Sequence, residues 1–155
     1  MKTNMNKQSI ILFFATGAYS GYISFAPGTW GTLVGLPLCY FLSLLGWPLQ
    51  LILLFVFMPV AAWISGKGEC YLGTKDPGAI VIDEIAGILI TLIFVPFTLI
   101  HVMVGFLLFR FFDILKPYPI SRAESYFDGG TAVLMDDVIA GIFARAILEV
   151  LMIWI

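Results

Sequence analysis

Charge is scarce in this chain: 12% of its 155 residues are charged, against 61% that are apolar. A water-soluble domain usually carries about 25% charged and roughly 45–50% apolar residues. Too little polar surface is present to coat a globule, and with a mean hydropathy of +1.02 the composition predicts an integral membrane protein. Cysteine is nearly absent. Cys39 sits in an apolar run and Cys70 in a polar one, which excludes a disulfide framework and a thiolate metal motif. There is one histidine, His101. Solenoid repeats and low-complexity tracts are missing. The net charge of −2 is uninformative, and no nucleic-acid partner is expected. The N-terminal MKTNMNKQS puts a short basic region before apolar residues. No cleavage site is clear, because Ile10–Phe25 flows through Gly17, Ser20 and Gly21 into FAPGTWGT, so a cleaved signal is not expected.

Three polar stretches interrupt the hydrophobicity: Ser24–Thr32, Ser65–Gly78 (running on to Glu84) and Asp113–Asp137. The apolar runs between them are Trp30–Gly46, Pro48–Ile64, Ile85–Phe112 and Val138–Ile155. A membrane helix needs about 20 residues, which the first two runs and the last meet narrowly. Ile85–Phe112 is too long for one ordinary span, and Pro96 interrupts it. Proline removes a backbone donor and clashes inside a helix, so a pair of helices turning near Pro96–Thr98 is predicted, with one long tilted helix as the alternative. Placing Trp47–Pro48 and Pro96–Thr98 on one side gathers all three polar stretches on the other. Lys67, Lys75, Arg110, Lys116 and Arg122 then share a face, as the Lys/Arg bias of cytoplasmic loops requires. Lys2 and Lys7 join them if Ile10–Phe25 is re-entrant or interfacial. Arg145, inside the last run, must snorkel or pair, for which a carboxylate of the acidic cluster is a candidate. The expectation is a single all-α domain over residues 1–155. It is a multi-pass membrane helical bundle of about four to five hydrophobic segments plus that N-terminal segment, with no oligomeric state specified.

The remaining charge is concentrated in the second and third polar stretches. Asp76, Asp83, Glu84, Asp113, Asp128, Asp136 and Asp137 mix there with Lys116 and Arg122, and with Arg110 three residues before the third stretch. Carboxylates suit a hard divalent cation such as Mg2+, and the bases suit phosphate, Arg as a bidentate fork and Lys as a point charge. Together they point to a phosphorylated substrate, which the membrane setting makes a lipid. Two adjacent acids open each of the runs IDEIAG and MDDVIAG, and helix capping competes with metal binding as their explanation. Two pairs plus Asp113, all ionisable groups at membrane depth, favour the metal site. Arg110, Asp113 and Lys116 recur every third residue, a spacing that lays them along one helix flank. An interhelical salt-bridge ladder is the competing account. Pro117 and Pro119 are expected to stop that helix. APGTWGT offers backbone amides and the Thr29 or Thr32 hydroxyls to a phosphate, or is a plain turn. FDGGTA reads as a hinge or a phosphate-cradling loop. His101 falls at the far-side turn, away from the acids, which argues against histidine-dependent phosphatase chemistry. No Cys–Arg phosphatase loop, Walker sequence or D-x-D-x nucleophile motif is present.

Taken together, PGTWGT, DPGAIVIDE, RFFDILKPYPI and GGTAVLMDDVIAG resemble the phosphatidylglycerophosphatase A family of bacterial membrane enzymes, in order and approximate spacing, from about Ser24 to Gly141. The match covers Pro27, Gly28, Thr29, Asp76, Gly78, Asp83, Glu84, Arg110, Asp113, Lys116, Pro117, Pro119, Gly129, Gly130, Asp136 and Asp137. Asp128 and Ala132 depart from the pattern. The resemblance implies a Mg2+-dependent hydrolase in phospholipid biosynthesis, converting phosphatidylglycerol phosphate to phosphatidylglycerol and phosphate at the bacterial inner membrane, with the site on the cytoplasmic face. On that reading Asp83, Glu84, Asp113, Asp136 and Asp137 supply the metal ligands and, with Lys116, the catalytic groups. Arg110, Lys116, Arg122, Gly28 and Thr29 hold the substrate phosphate. Direct attack by water and a phospho-aspartyl intermediate both remain open. The rival readings are a Mg2+-dependent membrane transferase acting on another lipid phosphate or pyrophosphate, and a non-enzymatic transporter or scaffold.

Overall fold

A computed structural model of the chain describes residues 2–123, 127 and 129–154. Asp128, part of the acidic grouping, lies outside them, as do the side chains of residues 2–6 and 123, that of Lys2 included. Among the described residues there are seven α-helices and no strand. They are α1 (Lys2–Ala15), α2 (Pro27–Ser43), α3 (Trp47–Leu72), α4 (Ile82–Leu92), α5 (Leu99–Leu115), α6 (Ile120–Ala123) and α7 (Gly130–Leu151), with a 3₁₀ turn at Ser20–Tyr22. The all-α expectation is met. Among the described residues one helix, α3 with 26 residues, is both long and apolar enough to cross a membrane.

The boundaries follow local chemistry, with informative departures. The run after Glu84 divides as a hairpin: α4 ends at Leu92, and Thr98 starts α5 by accepting a hydrogen bond from the His101 amide. α3 does not stop at Ile64. It continues through SGKGECYL to Gly73, whose left-handed φ of 73° closes the helix with its amide on the Glu69 carbonyl. The glycines in that polar stretch serve contact rather than termination: Gly66 faces Gly130 of α7, and Gly68 faces Ile80 and Ala15. At the N-terminus the helix is α1, beginning at Lys2 and ending at Ala15, so only part of Ile10–Phe25 is helical in it. Gly17, Ala18 and Tyr19 at positive φ reverse the chain, and the Val81 amide bonds the Ala15 carbonyl at 2.8 Å.

α4 is the centre. Ten of its 11 residues are buried, and α2, α3, α5 and α7 all pack on it. Small residues permit this. Gly31 and Gly35 of α2 leave room for Val81 and Ile88, and Gly87 of α4 leaves room for Phe109 and the Asp137 backbone. Gly141 of α7 faces the Gly87 carbonyl in turn, and the Thr91 hydroxyl donates to the Gly87 carbonyl at 2.9 Å and to the Gly141 carbonyl at 3.4 Å. The echoing sequences IDEIAG and MDDVIAG are thus two parallel helices meeting glycine to glycine, which brings their acidic pairs level. At the opposite end Gln50 ties two turns together, donating to the Leu45 carbonyl at 2.8 Å and accepting from the Phe94 amide at 3.1 Å.

Candidate active site

The starts of α2, α4 and α7 and the end of α5 converge at one end of the bundle. α4 delivers Asp83 and Glu84 in its first turn. α7 delivers Asp136 and Asp137, which lie six and seven residues inside a helix that begins at Gly130. Neither pair makes a capping hydrogen bond to its helix start. The capping account therefore fails for Asp136 and Asp137, because α7 starts earlier than the apolar pattern indicates.

Oxygens of Asp83, Glu84 and Asp137 lie within 4.8 Å of one another. Asp83 and Asp137 are buried, at 6% and 3% exposure. The Asp83 Oδ1 and Glu84 Oε2 atoms are buried with no hydrogen-bond partner. Buried carboxylate oxygens crowded together call for compensating positive charge, from a cation or from a bound proton. Hard carboxylate oxygens are the donor type that Mg2+ takes, so the chemistry of these residues fits the ion.

The other two acids are held by bases. Asp113, buried at the end of α5, pairs with Arg110 at 2.5 Å, and it lies within interaction range of Asp137. Asp136 pairs with Lys116. Lys116 does not continue the α5 flank, contrary to the every-third-residue reading. It is the left-handed cap of the helix, at φ 41°, and that turn swings it across to α7. Burial would lower the pKa of its ammonium, but the hydrogen bond and charge of Asp136, with Asp137 and Asp113 behind, raise it above the ordinary lysine value. Lys116 stays protonated throughout the neutral range. Pro117 follows the cap directly, and α5 ends at Leu115 as the prolines require.

Gly28, in the first turn of α2, sits against Glu84 and the Arg110 guanidinium, where a methyl group would have no room. Thr32, one turn on, is buried; it donates to the Gly28 carbonyl at 2.7 Å and accepts from Arg110 Nη1 at 3.5 Å. Thr32 rather than Thr29 thus orients the arginine, and the i, i+4 spacing from Gly28 within PGTWGT was the signal for it. Thr29 is half-buried in the same turn. Arg122 is exposed, with its guanidinium 5.6 Å from the Tyr118 ring centre. Asp76 is exposed in the α3–α4 loop, its amide donating to Glu69 Oε1 at 2.7 Å. In the GG element, Gly130 packs against the α3 backbone at Ala62 and Gly66, so its smallness serves helix contact. Arg145 pairs with Glu149 one turn along its own helix, not with the cluster. His101 lies at the other end, with its Nδ1 3.0 Å from the Pro96 carbonyl.

The family model described as Phosphatidylglycerophosphatase A matches residues 13–152. A curated protein of that name from Haemophilus influenzae is 38% identical over 93% of this chain and 90% of its own length. One from Escherichia coli is 33% identical over 86% of this chain and 78% of its own. A protein from Bacteroides thetaiotaomicron named putative phosphatidylinositol-3-phosphatase is 38% identical over 90% of this chain and 91% of its own. No solved structure matches the chain.

Proposed function

Because the chain belongs to the phosphatidylglycerophosphatase A family, we propose that this phosphoric monoester hydrolase cleaves phosphatidylglycerol phosphate to phosphatidylglycerol and inorganic phosphate, at a site built on Asp83, Glu84 and Asp137. The observation that carries the reading is the carboxylate cluster, with two buried oxygens that lack a hydrogen-bond partner, flanked by one arginine and one lysine. Mg2+ would be held by Asp83, Glu84 and Asp137, with Asp113 and Asp136 beside them. When bound it would supply positive charge against the phosphate oxygens and a Lewis acid. The chain's own groups do the rest. Arg110, set by Thr32 and Asp113, and Lys116, set by Asp136, receive the phosphomonoester and offset the charge that grows on its equatorial oxygens. Glu84, the least enclosed of the three clustered acids, takes a proton from the attacking water. The water oxygen bonds to phosphorus as the bond to the lipid oxygen breaks, and the leaving alkoxide takes up the proton that Glu84 received, which gives the free hydroxyl and restores the carboxylate.

The setting proposed is a multi-pass bundle in the bacterial inner membrane, with the site on its cytoplasmic face. Large apolar side chains point outward on α3 (Phe55, Val56, Trp63) and α5 (Leu99, Leu107, Ile114), each more than half exposed. Soluble monomers rarely expose contiguous apolar areas beyond a few hundred Å². Arg110 and Lys116 lie at the catalytic end, as the cytoplasmic bias of basic residues requires.

The test is phosphate release by purified protein from phosphatidylglycerol phosphate, phosphatidic acid and phosphatidylinositol 3-phosphate, with and without Mg2+. Stoichiometric release from the first without any acceptor alcohol is expected, abolished by a chelator and restored by Mg2+. A requirement for an acceptor would establish the transferase instead, and preference for the inositol lipid would reassign the substrate. Lys116→Gln should lower turnover about 10²–10³-fold, the usual loss when one preorganised charge is removed from a developing anion, with Lys116→Arg recovering part of it. Unaltered rates in Lys116→Gln would remove Lys116 from the site.

A further inference from the structure

The groove between α1 and α3 carries a different chemistry from the carboxylate end. It has a volume of about 580 Å³ and is lined by Lys7, Ile10 and Phe14 of α1 and Trp63, Lys67 and Tyr71 of α3. The spacings, three and four residues on α1 and four and four on α3, place each trio on a single helical stripe. Lys7 and Lys67 are exposed, and neither forms an ion pair with a described residue. Trp63 and Phe14 are more than half exposed. Lys67 and Tyr71 stand in the last two turns of α3, at the end of the bundle where α4 and α7 begin, and Trp63 lies one turn deeper. Two cations with no ion-pair partner among the described residues, at the mouth of an apolar slot with a tyrosine beside them, match an anionic amphiphile: charge above, hydrocarbon below.

We propose that this groove binds one anionic phospholipid of the leaflet on which the catalytic end opens, its phosphate between Lys7 and Lys67 and an acyl chain along Ile10, Phe14 and Trp63. The proposal rests on the membrane setting argued above and is independent of the hydrolytic chemistry. A zwitterionic lipid is a poorer occupant, because its own cation offsets the two lysines. The site anchors α1, which otherwise packs mainly on α3.

The experiment places the full chain in phosphatidylcholine nanodiscs containing a trace of phosphatidylglycerol with a photoactivatable acyl chain, and maps the cross-links by mass spectrometry. Labelling is expected on the peptides holding Ile10–Phe14 and Trp63. It should fall about 30-fold in Lys7→Gln/Lys67→Gln, roughly fivefold for each lysine near an anionic surface, and recover in Lys7→Arg/Lys67→Arg. Raised salt should weaken it, since exposed charges are screened. Equal labelling by the phosphatidylcholine analogue, or labelling unchanged in the double Gln variant, would overturn the proposal. Cross-links joining two copies of the chain would make the groove a subunit interface instead. Protein that fails to float with vesicles would sink the membrane setting itself, an outcome separate from a floating protein without anionic preference.

Discussion

Asp137→Asn is expected to lower turnover by about 10³-fold, at the upper end of what loss of one preorganised electrostatic group costs, while the protein stays folded. The two outcomes are opposed in sign for a physical reason. Asp137 is buried against Asp83 and Glu84 within 4.8 Å, and two ionised groups at that distance repel by roughly 3.5 kcal/mol at an effective dielectric of ~20. Neutralising one of them relieves repulsion in the ion-free protein, so the thermal midpoint without Mg2+ holds or rises. A bundle in which these acids served as structural ion-pair partners would respond the other way, because removing one partner of a buried pair is strongly destabilising. Added Mg2+ should raise the midpoint of the native chain by mass action and leave that of Asp137→Asn nearly unmoved. Asp83→Asn should behave alike. Phosphatase activity that survives both substitutions would refute the site, and loss of helical signal in either would favour the scaffold.

Sequence made the punctuation of this fold readable, because proline and glycine act locally. Pro96 forecast the α4–α5 hairpin, Pro117 the end of α5, and the scarcity of charge the apolar exterior. The convergence of VIDE, LMDD and RFFD at one end also followed from counting turns. What spacing could not supply was the identity of the neighbour across a helix interface. The every-third-residue pattern of Arg110, Asp113 and Lys116 implied one flank, yet Lys116 at φ 41° leaves the helix and reaches Asp136. Asp136 and Asp137 looked like helix openers because the apolar run begins after them. The helix begins at Gly130, since GTAVLM is compatible with helix and Gly130 is needed where α7 meets the α3 backbone. Arg145 pairs, as its place in an apolar run requires, but with Glu149 one turn away rather than with the acidic cluster. Polar composition in SGKGECYL suggested a loop, but its glycines are contact surface on α3.

Gly141→Ala is expected to lower turnover about 100-fold at temperatures where the protein is fully folded, although the residue touches neither substrate nor any carboxylate. A methyl group there would stand 2.5 Å from the Gly87 carbonyl oxygen and 3.2 Å from Ile90 Cβ. The obstacle is backbone, which cannot rotate aside, so α7 must move away from α4. Asp137 lies one turn before Gly141 on α7, and Asp83 and Glu84 lie one turn before Gly87 on α4. Separation at the glycine contact therefore spreads the acids, and a displacement of about 1 Å in a reacting constellation costs on the order of 10²-fold. Stability should respond far less. Overpacking costs about 1–3 kcal/mol, but alanine in place of a helical glycine recovers up to ~1 kcal/mol of helix propensity. The expected signature is thus a small loss in thermal midpoint with a large loss in rate and in Mg2+-induced stabilisation. Gly78→Ala, where nothing lies within 4 Å of the added carbon, serves as the control and should match the native chain. Full activity in Gly141→Ala would mean that the α4–α7 contact does not set the spacing of the acids, and the repeated Ala-Gly after each acidic pair would lose its catalytic meaning.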